Sequence, residues 1–444
     1  MNKAMQPPEE ETSKPPKKNN PGQVLQEELL KEITGKQNGE KGGVSRPLWR
    51  RLTRSLAVPI LAIITGLIIG GLLIVLTSIE FYAAWAQSPV EGLRVGWGIL
   101  KTAYSALFTG AIGDPARIAA ALSSGNAEEV RKAFYPFFES LVAATPYIFG
   151  GLAVALGFRA GLFNIGAEGQ IFIGAICAAY VGYSVTGLPA FLHMPLAFLA
   201  GAVGGGLWGF IPGWLKARTG AHEVINTIML NYIAFRLSDW LLTGPMTRPG
   251  SANPVSPTIE DSAKLFRFFG DPIRFHLGFF VALLMAWLVW WFLFKTRWGF
   301  DLRAVGLNPH AARYAGMVVS FTMILSMSLS GALAGMAGAN EVLGVNHNLA
   351  MAFSSGYGFD SIALALLGNS HPLGVVLSAL LFGALRNGAT NMQLKAGIPI
   401  DIISIFQALI LIFIATPAII RTLYRLKPPE EGEEGLVVAS WGGN

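Results

Sequence analysis

Long apolar runs separated by short polar stretches dominate the chain from residue 56 to residue 419. The first run, Leu56 to Ile79, holds 24 residues without a charge, and about 20 apolar residues suffice for a helix to cross the hydrocarbon core. This run starts too far into the chain, and lacks the cleavage pattern, for a removable signal peptide. The pattern predicts an all-α integral membrane protein, a bundle of about ten transmembrane helices. The predicted spans are 56–79, 135–158, 168–187, 194–215, 222–243, 274–295, 317–339, 355–369, 373–391 and 399–419.

The polar segments outside these runs set the domain boundaries. Residues 1–45 are rich in Pro, Lys, Glu, Asn and Gly, and they have too few apolar side chains to offset the entropy of ordering. We expect 1–45 to be a disordered cytoplasmic tail, 46–425 to be the transmembrane domain, and 426–444 to be a second cytoplasmic tail. The region 81–133 is expected on the outer side, with Trp97 to Ile112 lying along the outer surface.

The basic residues stand just outside the apolar runs. The chain carries a net charge of +6 and a sequence pI near 9.3, with 14% charged residues and a mean hydropathy of +0.48. A soluble domain usually has about a quarter of its residues charged. Four arginines precede the first span, and further Lys and Arg residues lie at the predicted inner ends 216–218, 295–313 and 421–427. The positive-inside rule therefore puts both termini in the cytoplasm. Topology thus accounts for the basic charge, and a lipid membrane rather than nucleic acid is the expected partner.

Signatures of an enzyme are absent from the sequence. There is no phosphate-binding loop and no G-x-S-x-G elbow, and His222-Glu223 is followed by Asn226 where a zinc motif needs a second histidine. Cys177 is the single cysteine, which excludes a disulfide or a thiolate zinc site within one chain. We therefore expect no catalytic residues, no metal and no cofactor in this chain.

The segment Gly161 to Gln170 places three glycines, an amide and a carboxylate between two apolar spans. An acid at membrane depth costs roughly 2.5 kcal/mol or more unless it faces a cavity or a partner. If residues 164–170 are helical, Asn164 and Glu168 share one face, and the glycines permit a broken helix that lines a cavity. The alternative is that Glu168 caps or staples neighbouring helices. The candidate residues of a solute path are Phe163, Asn164, Gly166, Glu168 and Gln170.

A second segment, Trp298 to Met317, forms the largest predicted cytoplasmic loop between spans. Asn308 is a good N-cap and Pro309 fits the first helical turn, which predicts a short surface helix through Tyr314. Its small residues would form a docking face, although an ordinary connecting helix is the alternative. The residues of this predicted face are Ala311, Ala312 and Ala315.

Other polar residues within the predicted spans indicate a polar interior. They are Glu223, Asn226, Asn231, Arg236, Asp239, Asn340, Glu341, Asp360, Asn387, Asn391 and Asp401. Glycines at four-residue spacing predict close helix packing in lipid. They are Gly66 and Gly70, then Gly201, Gly205, Gly209 and Gly213, then Gly331 and Gly335.

Three motifs in order resemble the permease subunits of bacterial nucleoside and simple-sugar ABC importers, which are related to the branched-chain amino-acid permeases. The motifs are Gly161 to Gln170, Glu223 to Ile233 and Leu302 to Gly306, and the resemblance runs from about residue 50 to 420. It implies a type II importer-like bundle with a discontinuous helix in the bacterial plasma (inner) membrane. It also implies ATP-driven translocation of a nucleoside, or of a simple sugar such as ribose.

The resemblance implies partners as well. These are two cytoplasmic ABC ATPase subunits that would bind ATP-Mg, a second and shorter permease, and an extracytoplasmic solute-binding lipoprotein. By position, Asn164 to Gln170 resembles the discontinuous helix beside the translocation path, and Arg303 to Gly316 resembles the helix that couples to the ATPase. The candidate coupling residues are Arg303, Ala304, Gly306, Asn308, Pro309, Ala311, Ala312 and Gly316.

Two other classes of function stay open at this point. A secondary transporter driven by an ion gradient could use Glu168, Glu223 and Asp360 to carry protons. A membrane scaffold or receptor would carry no solute, and it would tolerate neutralisation of all three acids.

Overall fold

The computed structural model describes residues 48–399 and 401–426, so the predicted tail 1–45 and all of the predicted tail 426–444 except residue 426 lie outside the described residues. The chain divides into two units, Met1–Ala57 and Val58–Asn444, and the helix bundle belongs to the second. Within the described ranges the regular structure is helical, with isolated bridges joining Val255 to Ala350 and Arg267 to His276. An all-α fold is therefore confirmed for this part of the chain.

The helices follow the predicted spans closely. They are α1 Leu48–Leu76, α2 Ile79–Gln87, α3 Pro89–Ile112, α4 Pro115–Ser124, α5 Ala127–Arg159, α6 Ala167–Ser184, α7 Ala190–Thr219, α8 Glu223–Thr243, α9 Gly278–Lys295, α10 Arg297–Leu307, α11 Pro309–Tyr314, α12 Val319–Asn340, α13 Tyr357–Leu367, α14 Pro372–Ala396, α15 Asp401–Ala415 and α16 Pro417–Leu423. Among the described residues, 6 helices are long and apolar enough to cross a membrane: α1, α5, α7, α9, α12 and α14. The chain is thus a multi-pass membrane protein, and the figure of about ten crossings stays a prediction.

Helix α3 corrects one expectation. Its second half, Trp97 to Ile112, packs into the bundle instead of lying along an outer surface. Ala103, Ala106 and Leu107 are buried, and Asn391 of α14 donates its Nδ2 hydrogen to the Ala106 carbonyl at 2.6 Å. The small residues of this segment allow α14 to approach it closely. The few charged residues at its start obscured this packing in the sequence.

The glycine series forms a close contact between two helices of the bundle. Gly205 and Gly209 of α7 face Gly331 and Gly335 of α12. A Cβ atom on Gly205 would lie 2.7 Å from the Gly335 Cα, and one on Gly209 would lie 3.0 Å from the Gly331 Cα. Because these distances are too short for a side chain, the predicted packing role of the glycines is confirmed.

Helix α13 is shorter than the span predicted there. Its 11 residues rise about 16 Å, roughly half of the 30 Å hydrocarbon core. It follows a π-helix, Glu341–Asn346, and a non-helical segment, 347–356, in which His347 and Ala352 have positive φ angles of 56° and 50°. The region after α12 is therefore a broken element that ends in a half-helix. The predicted spans 317–339 and 355–369 left most of this non-helical segment between them, but the short length of α13 was not predicted.

Candidate translocation site

The chain between α5 and α6 is non-helical over residues 160–166, so the structure has a break in the predicted segment. Gly161 adopts the left-handed conformation at φ 69°. Helix α6 begins only at Ala167, which means that Asn164 precedes it and does not share a helix face with Glu168. The interpretation of these two residues as helical neighbours is wrong, because the glycines end α5 and delay the start of α6.

Asn164 instead fixes the break from inside. It is fully buried, and its Nδ2 donates to Gln170 Oε1 at 2.9 Å and to Ser330 Oγ at 2.8 Å. Its Oδ1 accepts the Gly166 backbone N–H at 3.0 Å. Phe163 packs its ring against Phe158, with centroids 5.1 Å apart. The polar atoms of Asn164 and Gln170 thus satisfy one another and hold the non-helical turn against α12.

Asn231 of α8 holds the same break from the other side. Its Oδ1 accepts the Gly169 N–H at 2.8 Å, and its Nδ2 donates to the Ile165 carbonyl at 3.0 Å. A Cβ atom on Gly166 would lie 2.9 Å from the Thr227 Cβ, so only glycine fits there. The motif Glu223 to Ile233 is therefore in direct contact with the motif Gly161 to Gln170, and the hydrogen bonds of Asn231 hold the break in place.

Glu168 has a partner that the sequence could not name. Only 2% of the residue is exposed, and its Oε2 accepts the backbone N–H of Gly358 in the first turn of the half-helix α13. A carboxylate at a helix N-terminus satisfies an otherwise free donor and opposes the positive end of the helix dipole. Glu168 is thus the cap of α13, as the alternative interpretation expected. Its role in a solute path stays a prediction.

A second polar cluster lies next to this cap. Tyr147 of α5 donates its hydroxyl to Asp360 Oδ2 at 2.9 Å, and Arg386 of α14 donates Nη1 to the Tyr147 oxygen. The same Nη1 lies 3.6 Å from Asp360 Oδ2, and the guanidinium stands 5.1 Å from the centre of the Tyr357 ring. Sequence reasoning named Asp360 and missed Arg386. A lone arginine within the predicted span 373–391 was the available signal.

Several other intramembrane polar groups have partners. Arg236 pairs with Asp239 on the same helix at 3.3 Å, and Glu223 pairs with Lys216 at 2.7 Å. Asn387 donates to the carbonyl of Gly110 at 2.9 Å. Glu223 with Lys216 and Asn387 with Gly110 join different helices, which is the commoner fate of a polar residue among packed helices.

The predicted surface helix is present as α11. Asn308 caps it by accepting the N–H groups of His310 and Ala311, each at 3.0 Å, and Pro309 is its first residue. Ala311 is exposed, and Tyr314 is 98% exposed. Ala312 is only 4% exposed because it packs with Val305 and Val319. The interpretation of Ala312 as part of an exposed docking face is therefore wrong.

The remaining candidate coupling residues lie at the edges of this surface. Arg303 stands over the Phe294 ring at 5.1 Å, and Ala304 is partly buried. Gly316 ends the segment in the left-handed conformation at φ 83°, with no atom within 4 Å of where a Cβ would lie. Large apolar side chains on both sides of α11 are exposed: Leu307 is 62% exposed and Val318 is 66% exposed.

Gly306 joins the surface helices to the break. A Cβ atom on Gly161 would lie 2.9 Å from the Gly306 carbonyl oxygen, and a Cβ on Gly306 would lie 2.8 Å from the Ala160 carbonyl carbon. The backbone of α10 is therefore in direct contact with the backbone of the turn that carries Asn164, with no side chain between them. A displacement of α10 toward this turn would move it, because packed backbone segments cannot interpenetrate.

Comparisons with known proteins now identify the family. The family described as branched-chain amino acid transport system / permease component matches residues 137–415. The guanosine ABC transporter permease protein NupP of Bacillus subtilis is 42% identical over 82% of this chain and 94% of its own length. The nucleoside ABC transporter permease protein NupB of Lactococcus lactis is 33% identical over 84% of this chain and 93% of its own length.

A third relative is the glucose ABC transporter permease protein TsgB13 of Haloferax volcanii, 38% identical over 63% of this chain and 75% of its own length. No solved structure matches the chain significantly. The family match covers more than half of the chain, and two of the relatives cover more than four fifths of it. The chain therefore belongs to the family of ABC transporter permeases described as branched-chain amino acid transport system / permease components.

Proposed function

We propose that this chain is one permease subunit of an ATP-driven importer and that it carries a nucleoside across the bacterial plasma membrane. The observation that carries the proposal is the backbone contact between Gly306 and Gly161, which connects an exposed surface helix to a buried break among the spans. A permease needs this connection, because ATP is hydrolysed by a separate subunit on one side and the solute crosses within the bundle.

The similarity to known permeases favours a nucleoside over a sugar. The guanosine and nucleoside permeases match over 82% and 84% of this chain, whereas the glucose permease matches over 63%. A simple sugar is the second candidate, since the glucose permease is 38% identical. We take guanosine as the first solute to test.

The ATPase subunit would dock on the surface formed by Leu307, α11 and Val318. This surface offers exposed apolar side chains beside Arg313, and its short, capped helix is suited to fit a groove. In this proposal both termini are cytoplasmic, the bundle crosses the membrane about ten times in a type II importer-like arrangement, and a lipoprotein delivers the solute from outside.

A second, shorter permease completes the proposed translocation unit. Bacillus subtilis has a second guanosine ABC transporter permease protein, NupQ, and Lactococcus lactis has a second nucleoside permease, NupC. This chain matches NupP at 42% identity over 82% of its length and NupQ at 26% over 55%. It matches NupB at 33% over 84% and NupC at 31% over 55%, so in both pairs the match to the first permease is the longer one. The difference supports this chain as the longer subunit of a pair.

The test is uptake of labelled guanosine into vesicles that contain the assembled transporter. We expect uptake to require ATP on the side of the ATPases and to persist when ionophores collapse the ion gradients. Uptake that continues without ATP and stops with ionophores would instead identify a secondary transporter. Absence of flux for nucleosides and sugars alike would favour a scaffold or receptor.

A further inference from the structure

Asp360 and Arg386 form an ion pair that is deep in the bundle and yet accessible. Arg386 lies 14 residues after the first residue of α14, about 21 Å along a helix of about 37 Å, and is therefore near its middle. Asp360 lies in the first turn of the half-helix α13. The side chain of Arg386 is 28% exposed and that of Asp360 is 33% exposed.

Lipid is a poor environment for this exposed surface. Charged groups within a bilayer face a protein interior or a water-filled cavity, because hydrocarbon offers them no hydrogen bonds. The neighbouring exposed residues of α14 behave differently, since Leu373 and Leu377 are 63% and 56% exposed and apolar. One face of α14 thus suits lipid, and the face that carries Arg386 suits water or a polar solute.

The side chains around the pair define the chemistry of this surface. The rings of Tyr147 and Tyr357 meet edge to face with centroids 5.1 Å apart, and the guanidinium lies against the Tyr357 ring at 5.1 Å. Asp360 and Arg386 cancel in charge, so an ion gains little by binding here. Tyr147 is fully buried, so a neutral solute with a planar ring would stack on the Tyr357 ring or the guanidinium plane, and its hydroxyls can bond to the carboxylate.

The two buried motifs hold this cluster in place. Glu168 binds the N–H of Gly358, two residues before Asp360, and Gly358 packs so closely that its Cβ would lie 2.5 Å from the Glu168 Cα. The break that Asn164 and Asn231 fix therefore sets the position of the half-helix. Displacement of the break would move Tyr357 and Asp360 relative to Arg386 on α14.

We propose that Tyr357, Asp360 and Arg386 line the solute pathway and form a subsite for the ring and hydroxyls of a neutral nucleoside. The identity of the solute rests on the proposed function, whereas the position of the subsite rests on the ion pair alone. The buried residues Asn164, Glu168 and Gln170 then support this subsite and do not touch the solute.

Cysteine labelling tests the position of the subsite. The chain has a single cysteine, so Cys177→Ala gives a background for Asp360→Cys and Arg386→Cys in the complete transporter. A charged, membrane-impermeant thiol reagent should label both at least about tenfold faster than Leu377→Cys, the matched control on the apolar face of α14. Labelling of both that is no faster than that of Leu377→Cys would overturn the proposal.

Protection by solute tests its chemistry. Guanosine should slow labelling at Asp360→Cys and Arg386→Cys by at least about threefold and leave the rate at the control Leu377→Cys unchanged. Fast labelling that guanosine does not slow, in vesicles of the cysteine-free transporter that do take up guanosine, would overturn the subsite. If those vesicles take up no guanosine, the proposed solute is wrong, and the labelling rates alone still decide whether the pair lines a cavity.

A pair of tyrosine variants keeps the proposal testable if the charged positions cannot be changed without loss of folding. Tyr357→Phe retains the ring, and we expect guanosine uptake within about threefold of the parent. Tyr357→Leu removes the stacking plane, and uptake should fall by at least about fivefold, the low end of what one stacked base contributes. Equal uptake by the two variants, at equal amounts in the membrane, would overturn the stacking role of Tyr357.

Discussion

The contact between Gly161 and Gly306 makes a prediction that can be separated from ordinary glycine strain. Gly161→Ala places a methyl group 2.9 Å from the Gly306 carbonyl oxygen, at a residue with φ 69°. Gly220 has the same φ of 69°, but no atom lies within 4 Å of where its Cβ would be. Gly220→Ala is therefore a matched control that carries the backbone strain without the contact.

The expected magnitudes follow from these two contributions. A non-glycine residue in the left-handed region costs about 1–2 kcal/mol, and both variants bear this cost. Overpacking of a tight contact adds about 1–3 kcal/mol, and only Gly161→Ala bears this cost. We expect Gly161→Ala to lower the unfolding free energy more than Gly220→Ala, by about 1–3 kcal/mol.

The effect on transport should be larger than the effect on stability. The assay compares ATP hydrolysis with guanosine uptake for each variant in the same vesicles, at equal amounts of assembled transporter. Gly161→Ala should lower the number of guanosine molecules taken up per ATP at least about tenfold, because the displaced backbone no longer transmits the movement of α10 and α11. Gly220→Ala should keep the parent ratio.

Two results would refute this reasoning. Equal losses of stability in the two variants would mean that the contact at Gly161 relaxes without cost. A parent-like ratio of uptake to hydrolysis in Gly161→Ala, in a transporter that assembles normally, would mean that coupling does not pass through this contact.

Three further predictions concern other parts of the chain. Glu168→Ala should lower the unfolding free energy by about 1.5–3 kcal/mol because the Gly358 N–H loses a charged acceptor. Glu168→Gln should keep most of the stability in a thermal melt. Equal melting temperatures of the two variants would contradict the capping role. Tyr314→Ala should change the melt by less than about 0.5 kcal/mol, since the residue is 98% exposed, yet should reduce co-purification of the ATPase; full retention of the ATPase would contradict the docking surface. Burial and the nearby Arg267 lower the pKa of His347 from 6.5 to about 4. The unfolded chain therefore binds this proton at a higher pH than the folded chain, so the unfolding free energy should fall as pH drops below 6.5. His347→Asn should reduce that fall, and an unchanged pH profile of stability would contradict this prediction.

Local signals in the sequence predicted the local features well. Asn308 and Pro309 fixed the start of the surface helix, because an N-cap and a first-turn proline act within a few residues. The glycine spacing predicted close helix packing, since small residues four apart share a helix face, and the structure shows that α7 meets α12 there. The family resemblance, carried by three short motifs, is confirmed by matches over most of the chain.

The sequence could not predict contacts between residues that are far apart in the chain. The N–H that Glu168 binds lies 190 residues further on, and Arg386 meets Tyr147 across 239 residues. Periodicity also cannot distinguish a half-helix from a full span, so α13 was predicted as a span although it covers about half of the hydrocarbon core. Ala312 was assigned to the wrong face because three alanines in one short helix give no indication of which one is buried.

The most direct test of the whole account is uptake of labelled guanosine by the complete, ATP-supplied transporter, with unlabelled adenosine and unlabelled ribose as separate competitors. We predict ATP-dependent guanosine uptake that adenosine inhibits and ribose does not. Inhibition by ribose, or no guanosine uptake by a transporter that assembles and hydrolyses ATP, would contradict a nucleoside importer and point to a sugar.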